Sequence, residues 1–329
     1  MRAVWSFWTK PFAGRCGIPW LSERTHLLAW VLSLETARRH YPETVLVTDD
    51  EGAELLVGRL GLKFSQVSTE LSSLADADPS WWVLGKLWTY RMQREPFVHI
   101  DNDVFLWARL PPEVEVAPVI GQNPEWFPLV PESWYRPERY TQALRQYGGW
   151  MPEEWNWAAG QSSTRAICCG ILGGNQVDFL RYYSDLALRM IRHPRNQEVW
   201  NQVGANAGDN VLFEQYLLAA CVDYHRGRAG SAYAAVEARC LFDSMDQAFD
   251  GTTAATMGYT HLMGDAKKNV DLARSLERRV AREYPDAYER CCELTPHQTD
   301  RISLPASEVL CSSPRIIHTE ISSFPAPGC

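Results

Sequence analysis

Residues 96–107 read Pro-Phe-Val-His-Ile-Asp-Asn-Asp-Val-Phe-Leu-Trp, and this stretch constrains the chain more than any other. Phe97, Val98 and Ile100 form a short apolar run with β-branched members. That predicts a buried strand, with Pro96 tolerated at its first position. The strand runs straight into Asp101 and Asp103. Two residues apart in extended chain, their carboxylates leave on the same side. Carboxylates at a strand's end can hold a hard divalent cation, which takes oxygen ligands and shares them with substrate phosphates. Residues 104–107 are apolar again, so the acidic pair interrupts a core element. Charge is costly there unless it is paired or metal-bound.

An Asp-x-Asp triplet alone is a weak signal, and the chain holds a second one, Asp76-Ala77-Asp78, followed by Pro79 in a polar loop. Only the later pair follows a buried-strand pattern, so it is the candidate metal or catalytic site. The competing reading of that pair is a turn using Asp and Asn for local backbone hydrogen bonds.

With 46% hydrophobic residues among 329, the chain can bury the core of one large α/β domain, with room for a small appendage. A net charge of −8 argues against wholesale nucleic-acid binding, so an anionic substrate would need a local metal or a placed Lys. No apolar run approaches the roughly 18–20 residues of a membrane span. The apolar stretch at the N-terminus is too short for a signal sequence and reads as the first core strand, which predicts a soluble, cytoplasmic protein. The nine Cys are odd in number, and Cys168-Cys169 and Cys291-Cys292 are adjacent rather than C-x-x-C. Buried free thiols are expected, not disulfides or a zinc site.

Taken in order, residues 3–7 predict a strand, 23–40 a helix capped by Ser22, 44–48 a strand ending at Asp49, 51–60 a helix and 64–68 a strand. That β-α-β-α-β order predicts a mostly parallel sheet. Residues 71–80 read as a polar loop and 81–93 as a helix carrying Lys86 and Arg91. In open α/β sheets ligands sit beyond the carboxyl ends of the strands, where both Asp49 and the Asp101/Asp103 pair lie. Residues 117–121 predict another strand. The segment 123–160 is rich in Trp and Tyr, suited either to stacking on sugar rings or to anchoring a loop region on the core. Residues 167–175 read as a strand whose Gly173-Gly174 allows close approach of a ligand. Helices are expected over 177–192, 209–221 and 269–284, with Glu214 and Gln215 inside the second and a short strand at 259–261 between the last two. A Pro-containing tail runs from 294 to 329.

The second cluster of chemistry is His261-Leu262-Met263-Gly264-Asp265-Ala266-Lys267. A neutral imidazole is a good metal ligand, Gly264 lets backbone approach an anion, and Lys267 adds a point charge for a phosphate. Together with the acidic strand end, these residues resemble the GT-A glycosyltransferases, most of all the glycogenin-like retaining branch with its Asp-x-Asp and His-x-x-Gly-x-x-Lys motifs. The resemblance implies an α/β fold with a mostly parallel, Rossmann-like GT-A sheet flanked by helices. Residues 1–293 would form one domain, with a nucleotide-binding half at about 1–121 and an acceptor-side half at about 122–293. The Trp-rich insertion and the tail have no counterpart, Lys268 stands where the family has Pro, and Cys168 stands where Asn is expected.

By the same resemblance, Asp101, Asp103 and His261 are metal ligands for Mn²⁺ or Mg²⁺. Lys86, Asp49, Asn102, Gly264 and Lys267 contact the donor, and Glu214 or Gln215 lies near the anomeric carbon. The reaction implied is transfer of a sugar from a nucleoside diphosphate, most simply UDP, to the hydroxyl of an unspecified acceptor. A metal-dependent nucleotidyltransferase, a phosphohydrolase and a non-catalytic nucleotide-sugar-binding protein stay open as rivals.

Overall fold

The structure is a computed structural model that describes residues 1–14, 20–128, 135–203 and 209–296. Its strands are β1 (Arg2–Phe7), β2 (Thr44–Thr48), β3 (Gln66–Ser68), β4 (Phe97–Ile100), β5 (Val104–Leu106), β6 (Val119–Gly121), β7 (Pro124–Pro128), β8 (Ser163–Ile167), β9 (Ile171–Gly174), β10 (Ala238–Cys240) and β11 (Tyr259–His261). Seven of them form the central sheet in the order β10-β6-β9-β4-β1-β2-β3. β1 lies parallel to β2 and β4, β2 to β3 and β6 to β10, while β9 runs antiparallel between β4 and β6. The chain thus forms the expected α/β fold, a mostly parallel sheet flanked by helices.

Side-chain alternation along the strands builds two cores, one on each face. Ala3, Trp5 and Phe7 of β1, with Val98 and Ile100 of β4, pack with residues of the helices Glu23–Ala37, Val270–Glu283 and Pro285–Leu294. Val4, Phe97 and Leu172 belong to the opposite core, with residues of the helices Val83–Met92, Val177–Arg192 and Leu217–His225. The helix Glu23–Ala37 begins where Ser22 Oγ accepts the Thr25 N–H at 3.0 Å, as expected of its cap.

Several expectations are corrected. The acidic pair does not sit in extended chain: Val104 N–H donates to Asp101 O at 3.0 Å, which closes a turn. The chain then leaves the central sheet, and β5 pairs with β11 in a separate two-stranded sheet. Asp and Asn favour turns, so the turn reading holds for the backbone while the carboxylates still converge. The run 167–175 is two strands, β8 and β9, broken at Cys168-Cys169-Gly170. The close approach at Gly173 is made by a neighbouring strand, since a Cβ there would stand 1.9 Å from Phe97 O. The 71–80 loop opens with a 3-10 turn, Glu70–Leu74, that buries Leu71 and Leu74.

The 51–60 helix is a short α-helix, Asp50–Ala53, continued by a π-helical stretch, Glu54–Arg59. The Trp-rich segment contains β7 and the helices Pro137–Gln146 and Glu153–Ala158. Trp155 is fully buried and Trp126 is 68% exposed. Trp134 and the tail beyond 296 lie outside the described residues. Cys168, Cys169, Cys221 and Cys291 are buried free thiols.

Candidate active site

β4 delivers Asp101, and the turn after it delivers Asp103. The antiparallel pairing of β5 with β11 sets His261 opposite Val104, and Leu262 N–H donates to Asp103 O at 2.9 Å. Residues far apart in sequence therefore meet because a short two-stranded sheet is built directly on the acidic turn. Asp101, Asp103 and His261 can each offer one ligand atom, all within 4.8 Å of one another.

The surroundings fit a cation. Asp103 is 3% exposed, its Oδ2 is 2.6 Å from Lys267 Nζ, and its Oδ1 is buried without a hydrogen-bond partner, 3.4 Å from His261 Nε2. Adjacent ligands of an octahedral ion with bonds of about 2.1 Å stand about 3 Å apart, close to that separation. On the other side of the imidazole, His261 Nδ1 lies 2.7 Å from Gln122 Oε1, which also accepts the Tyr259 hydroxyl at 2.7 Å. An Nδ1–H donated to Gln122 leaves the Nε2 lone pair facing Asp103. Gly170 makes room for this: a Cβ there would lie 2.3 Å from Gln122 Oε1 and 2.6 Å from His261 Nδ1.

Lys86 and Tyr90, one turn apart on the helix Val83–Met92, reach the same group. Lys86 Nζ lies 2.9 Å from Asp101 Oδ1 and 2.7 Å from Glu214 Oε1, and Tyr90 OH donates to Glu214 Oε1 at 2.6 Å. Glu214 sits in a π-helical turn, Leu212–Tyr216, a geometry frequent at functional sites. Its Oε2 is buried without a hydrogen-bond partner. Two ammonium groups, Lys86 and Lys267, thus face three carboxylates, Asp101, Asp103 and Glu214.

These charges divide the carboxylates electrostatically. Burial would raise the Asp103 pKa, but Lys267 and His261 outweigh it and hold the group well below the usual carboxylate range. Burial pushes Asp101 up to about 6, with Asp103 and Glu214 adding to the rise and Lys86 and His261 opposing it. Burial works against the Lys86 charge, yet Asp101 and Glu214 keep its ammonium above the ordinary lysine range. His99, whose Nε2 is 2.9 Å from Ser6 Oγ, is pushed well below its usual pKa by burial and then by Lys86, so it sits neutral beneath Asp101. His26 is lowered to about 3, by burial first and then by Lys267, against Asp103.

The other expected residues fall as follows. Gly264 has φ +54 and opens a 3-10 turn, Gly264–Lys268, that carries Lys267. Asn102 lies in the acidic turn with its Nδ2 buried and without a hydrogen-bond partner. Gln215 accepts the Tyr135 hydroxyl through Oε1. Asp49 has both oxygens engaged: Oδ2 accepts Thr9 N–H at 2.8 Å and Thr9 Oγ1–H at 2.7 Å, and Oδ1 accepts Gly52 N–H at 2.9 Å. It caps a short helix at its strand end. Sequence reasoning missed Gln122, Tyr90, Tyr259 and Gly170. None of them belongs to a spaced motif, and only their meeting in space gives them a part.

Among solved structures, a galactosyltransferase, LgtC, in complex with donor and acceptor sugar analogs is similar at 10% identity, over 65% of this chain and 70% of its own, with a TM-score of 0.35. Mouse xyloside xylosyltransferase 1 in its apo form is similar at 13% identity, over 67% of this chain and 80% of its own, with a TM-score of 0.32. Both scores are low, so function is argued from the chain's own residues. No curated protein matches the chain significantly in sequence. One family model matches residues 1–294, and the chain therefore belongs to the family described as "Family of unknown function (DUF6734)".

Proposed function

We propose that this protein is a metal-dependent glycosyltransferase that moves a sugar from a nucleoside-diphosphate sugar, with UDP as the nucleotide, to an acceptor hydroxyl with retention at the anomeric carbon. The observation that carries this reading is the convergence of part-buried Asp101 with buried Asp103 and His261 within 4.8 Å, with Lys267 beside Asp103. It supports the function implied by the resemblance to the glycogenin-like branch, because both motifs of that resemblance meet in one place.

Asp101, Asp103 through its unbonded Oδ1, and His261 through Nε2 would hold Mn²⁺ or Mg²⁺. When bound, such an ion supplies Lewis-acid stabilisation of the charge on a departing diphosphate. Lys267 adds a fixed positive charge for that diphosphate, and Gly264 allows its turn to bend close to the phosphate oxygens. Asn102 stands in the acidic turn with an uncommitted amide for the donor. Lys86 bridges Asp101 and Glu214 and holds both carboxylates in place. Glu214 or Gln215 would lie nearest the anomeric carbon, and the buried Glu214 Oε2 is without a hydrogen-bond partner. In retaining transfer the acceptor's proton can pass to the leaving phosphate oxygen, so no separate protein base is required of these residues.

The test is a donor screen across UDP-, GDP- and dTDP-sugars with Mn²⁺, reading nucleoside diphosphate release. Release of UDP that stops on chelation is expected; release of pyrophosphate would assign a nucleotidyltransferase instead. In direct binding, His261→Ala should weaken metal and Lys267→Ala should weaken UDP at saturating metal. Each loss should be about 10- to 100-fold, the scale of one charge-assisted contact. Tight UDP binding in excess chelator would sink the metal-bridged reading.

A further inference from the structure

The helical run Leu212–His225 carries Glu214, beside Lys86, in its first turn and ends at His225. Eleven residues at about 1.5 Å each put His225 roughly 16 Å from Glu214. At that far end lies a cleft of about 590 Å³ between residues 150–154, Tyr182 and residues 224–233. Its size is in the range of about 300–1,000 Å³ usual for ligand sites, and the metal cluster uses none of its side chains.

The cleft has two kinds of wall. Tyr182, His225 and Tyr233 pack ring to ring with centroids 5.0–5.5 Å apart, and the Arg228 guanidinium lies 3.6 Å over the Tyr224 ring. Against them runs a chain of polar groups. Buried Glu154 accepts the Tyr182 hydroxyl and lies 3.3 Å from His225 Nε2, and His225 Nδ1 is 2.8 Å from Ser231 Oγ. At the rim, exposed Glu153 accepts the Tyr224 hydroxyl at 2.7 Å.

We propose that this cleft is a second binding site, and that its ligand is a neutral, hydroxyl-rich ring, a sugar unit of a glycan. Sugar rings present C–H faces to aromatic walls and paired hydroxyls to carboxylate and guanidinium groups, and both partners are here. Two glutamates at the site disfavour a phosphate-bearing ligand. An apolar ligand would cover Glu153 and Arg228 without replacing their water. A cation finds no cage, because the Tyr182, His225 and Tyr233 rings touch one another rather than standing apart. Ser231 Oγ also accepts the Tyr233 N–H at 3.0 Å, which ties it into the wall as a hydrogen-bonding group and not as a free nucleophile. Resting on the glycosyltransferase reading, the distance from Glu214 makes the acceptor an extended glycan, gripped at one unit while another is glycosylated.

The experiment is calorimetric titration of the full chain, without metal or nucleotide, with maltohexaose, cellohexaose and N-acetylchitohexaose, and with spermidine as a cationic probe. At least one hexasaccharide is expected to bind at one site. Glu153→Gln and Arg228→Ala, both at exposed positions, should weaken that binding about tenfold or more with melting temperature unchanged. Asp103→Asn should leave it as in wild type. The proposal is overturned if no hexasaccharide binds up to about 10 mM. It is also overturned if the rim variants bind as wild type while Asp103→Asn does not, or if spermidine binds and displaces the sugar. Hexasaccharide binding with no turnover in any donor screen would sink the transferase reading and leave the site standing. Turnover without hexasaccharide binding would do the reverse.

Discussion

Asp76-Ala77-Asp78 and Asp101-Asn102-Asp103 carry the same spacing and opposite surroundings. Asp76 and Asp78 are exposed, and Asp78 Oδ1 accepts the Ser80 N–H at 2.9 Å, two residues along its own chain. Asp103 is buried against Lys267 and His261, and Asp101 is half-buried against Lys86. The hydrogen bond of the first pair is to local backbone, whereas the partners of the second come from two other parts of the chain. A carboxylate that folding takes out of water must be matched by hydrogen bonds, as at Asp49, or by charge, and charge brought in from distant parts of the chain is a costly arrangement to maintain without a use. The contrast teaches that the triplet carries little information and its burial carries most of it.

The largest break of that symmetry is expected from Asp103→Asn. It removes the charge facing both Lys267 and His261, and should lower metal-dependent nucleotide release by roughly 100-fold or more, the scale of losing an electrostatic partner at a developing charge. Asp78→Asn in the same assay should stay within about twofold of wild type, as surface substitutions usually do. Equal losses at both positions would erase the distinction.

A smaller effect sharpens the comparison from outside the triplet. Gln122 touches neither carboxylate in its hydrogen bonds, yet its Oε1 fixes the His261 ring and gathers the Tyr259 hydroxyl. Gln122→Leu should weaken Mn²⁺ binding about tenfold, at the lower end of what outer partners of ligating histidines contribute. The same variant should shift the ¹⁵N pattern of His261 away from the Nδ1–H tautomer. An unchanged tautomer with unchanged metal affinity would reduce Gln122 to packing. Asp78 offers no such handle, because its Oδ1 accepts from the Ser80 backbone.

What the sequence made legible follows the same line. Strand β4 and its acidic end could be read because an apolar run abruptly meets charge. His261 and Lys267 could be read from their spacing around Gly264. Gln122 could not, since one polar residue after a three-residue strand has no period and no motif. The antiparallel insertion of β9 was hidden because a central strand buried on both faces reads as apolar in either direction. The turn at Asp101 was hidden because Val104, Phe105 and Leu106 continue the apolar pattern while belonging to another sheet. The Trp-rich segment showed its aromatic content but not its division into anchors such as Trp155, whose Nε1–H donates to Thr141 Oγ1 at 2.8 Å, and exposed rings such as Trp126.

The subtlest difference between the two pairs is in how pH acts on the fold. Asp101 is raised from 3.8 to about 6 by burial, with Asp103 and Glu214 adding to it against Lys86. A carboxyl raised on folding contributes stability that is full below its unfolded pKa and is lost as pH rises through the folded value. Its window is therefore about pH 4 to 6. His26 is lowered from 6.5 to about 3 by burial and Lys267, against Asp103. An imidazole lowered on folding contributes stability that is full above its unfolded pKa and is lost as pH falls towards the folded value. Within the shared window Asp101 opposes His26 and His99, so wild-type protein without metal should lose stability on acidification less steeply than the imidazoles alone would dictate. Asp101→Asn removes the term that rises on acidification and leaves His26, with buried His99 acting in the same direction. Its melting temperature should fall more steeply than that of wild type between pH 6.5 and 4. Mn²⁺ should stabilise wild type at pH 7 and progressively less below about 6, where a proton competes for Asp101. Asp78→Asn should overlie wild type in both series. Differential scanning fluorimetry across the pH range, with and without Mn²⁺, reads all three curves. An Asp101→Asn profile parallel to wild type would mean that Asp101 takes up no proton on folding, and the comparison would lose its electrostatic content.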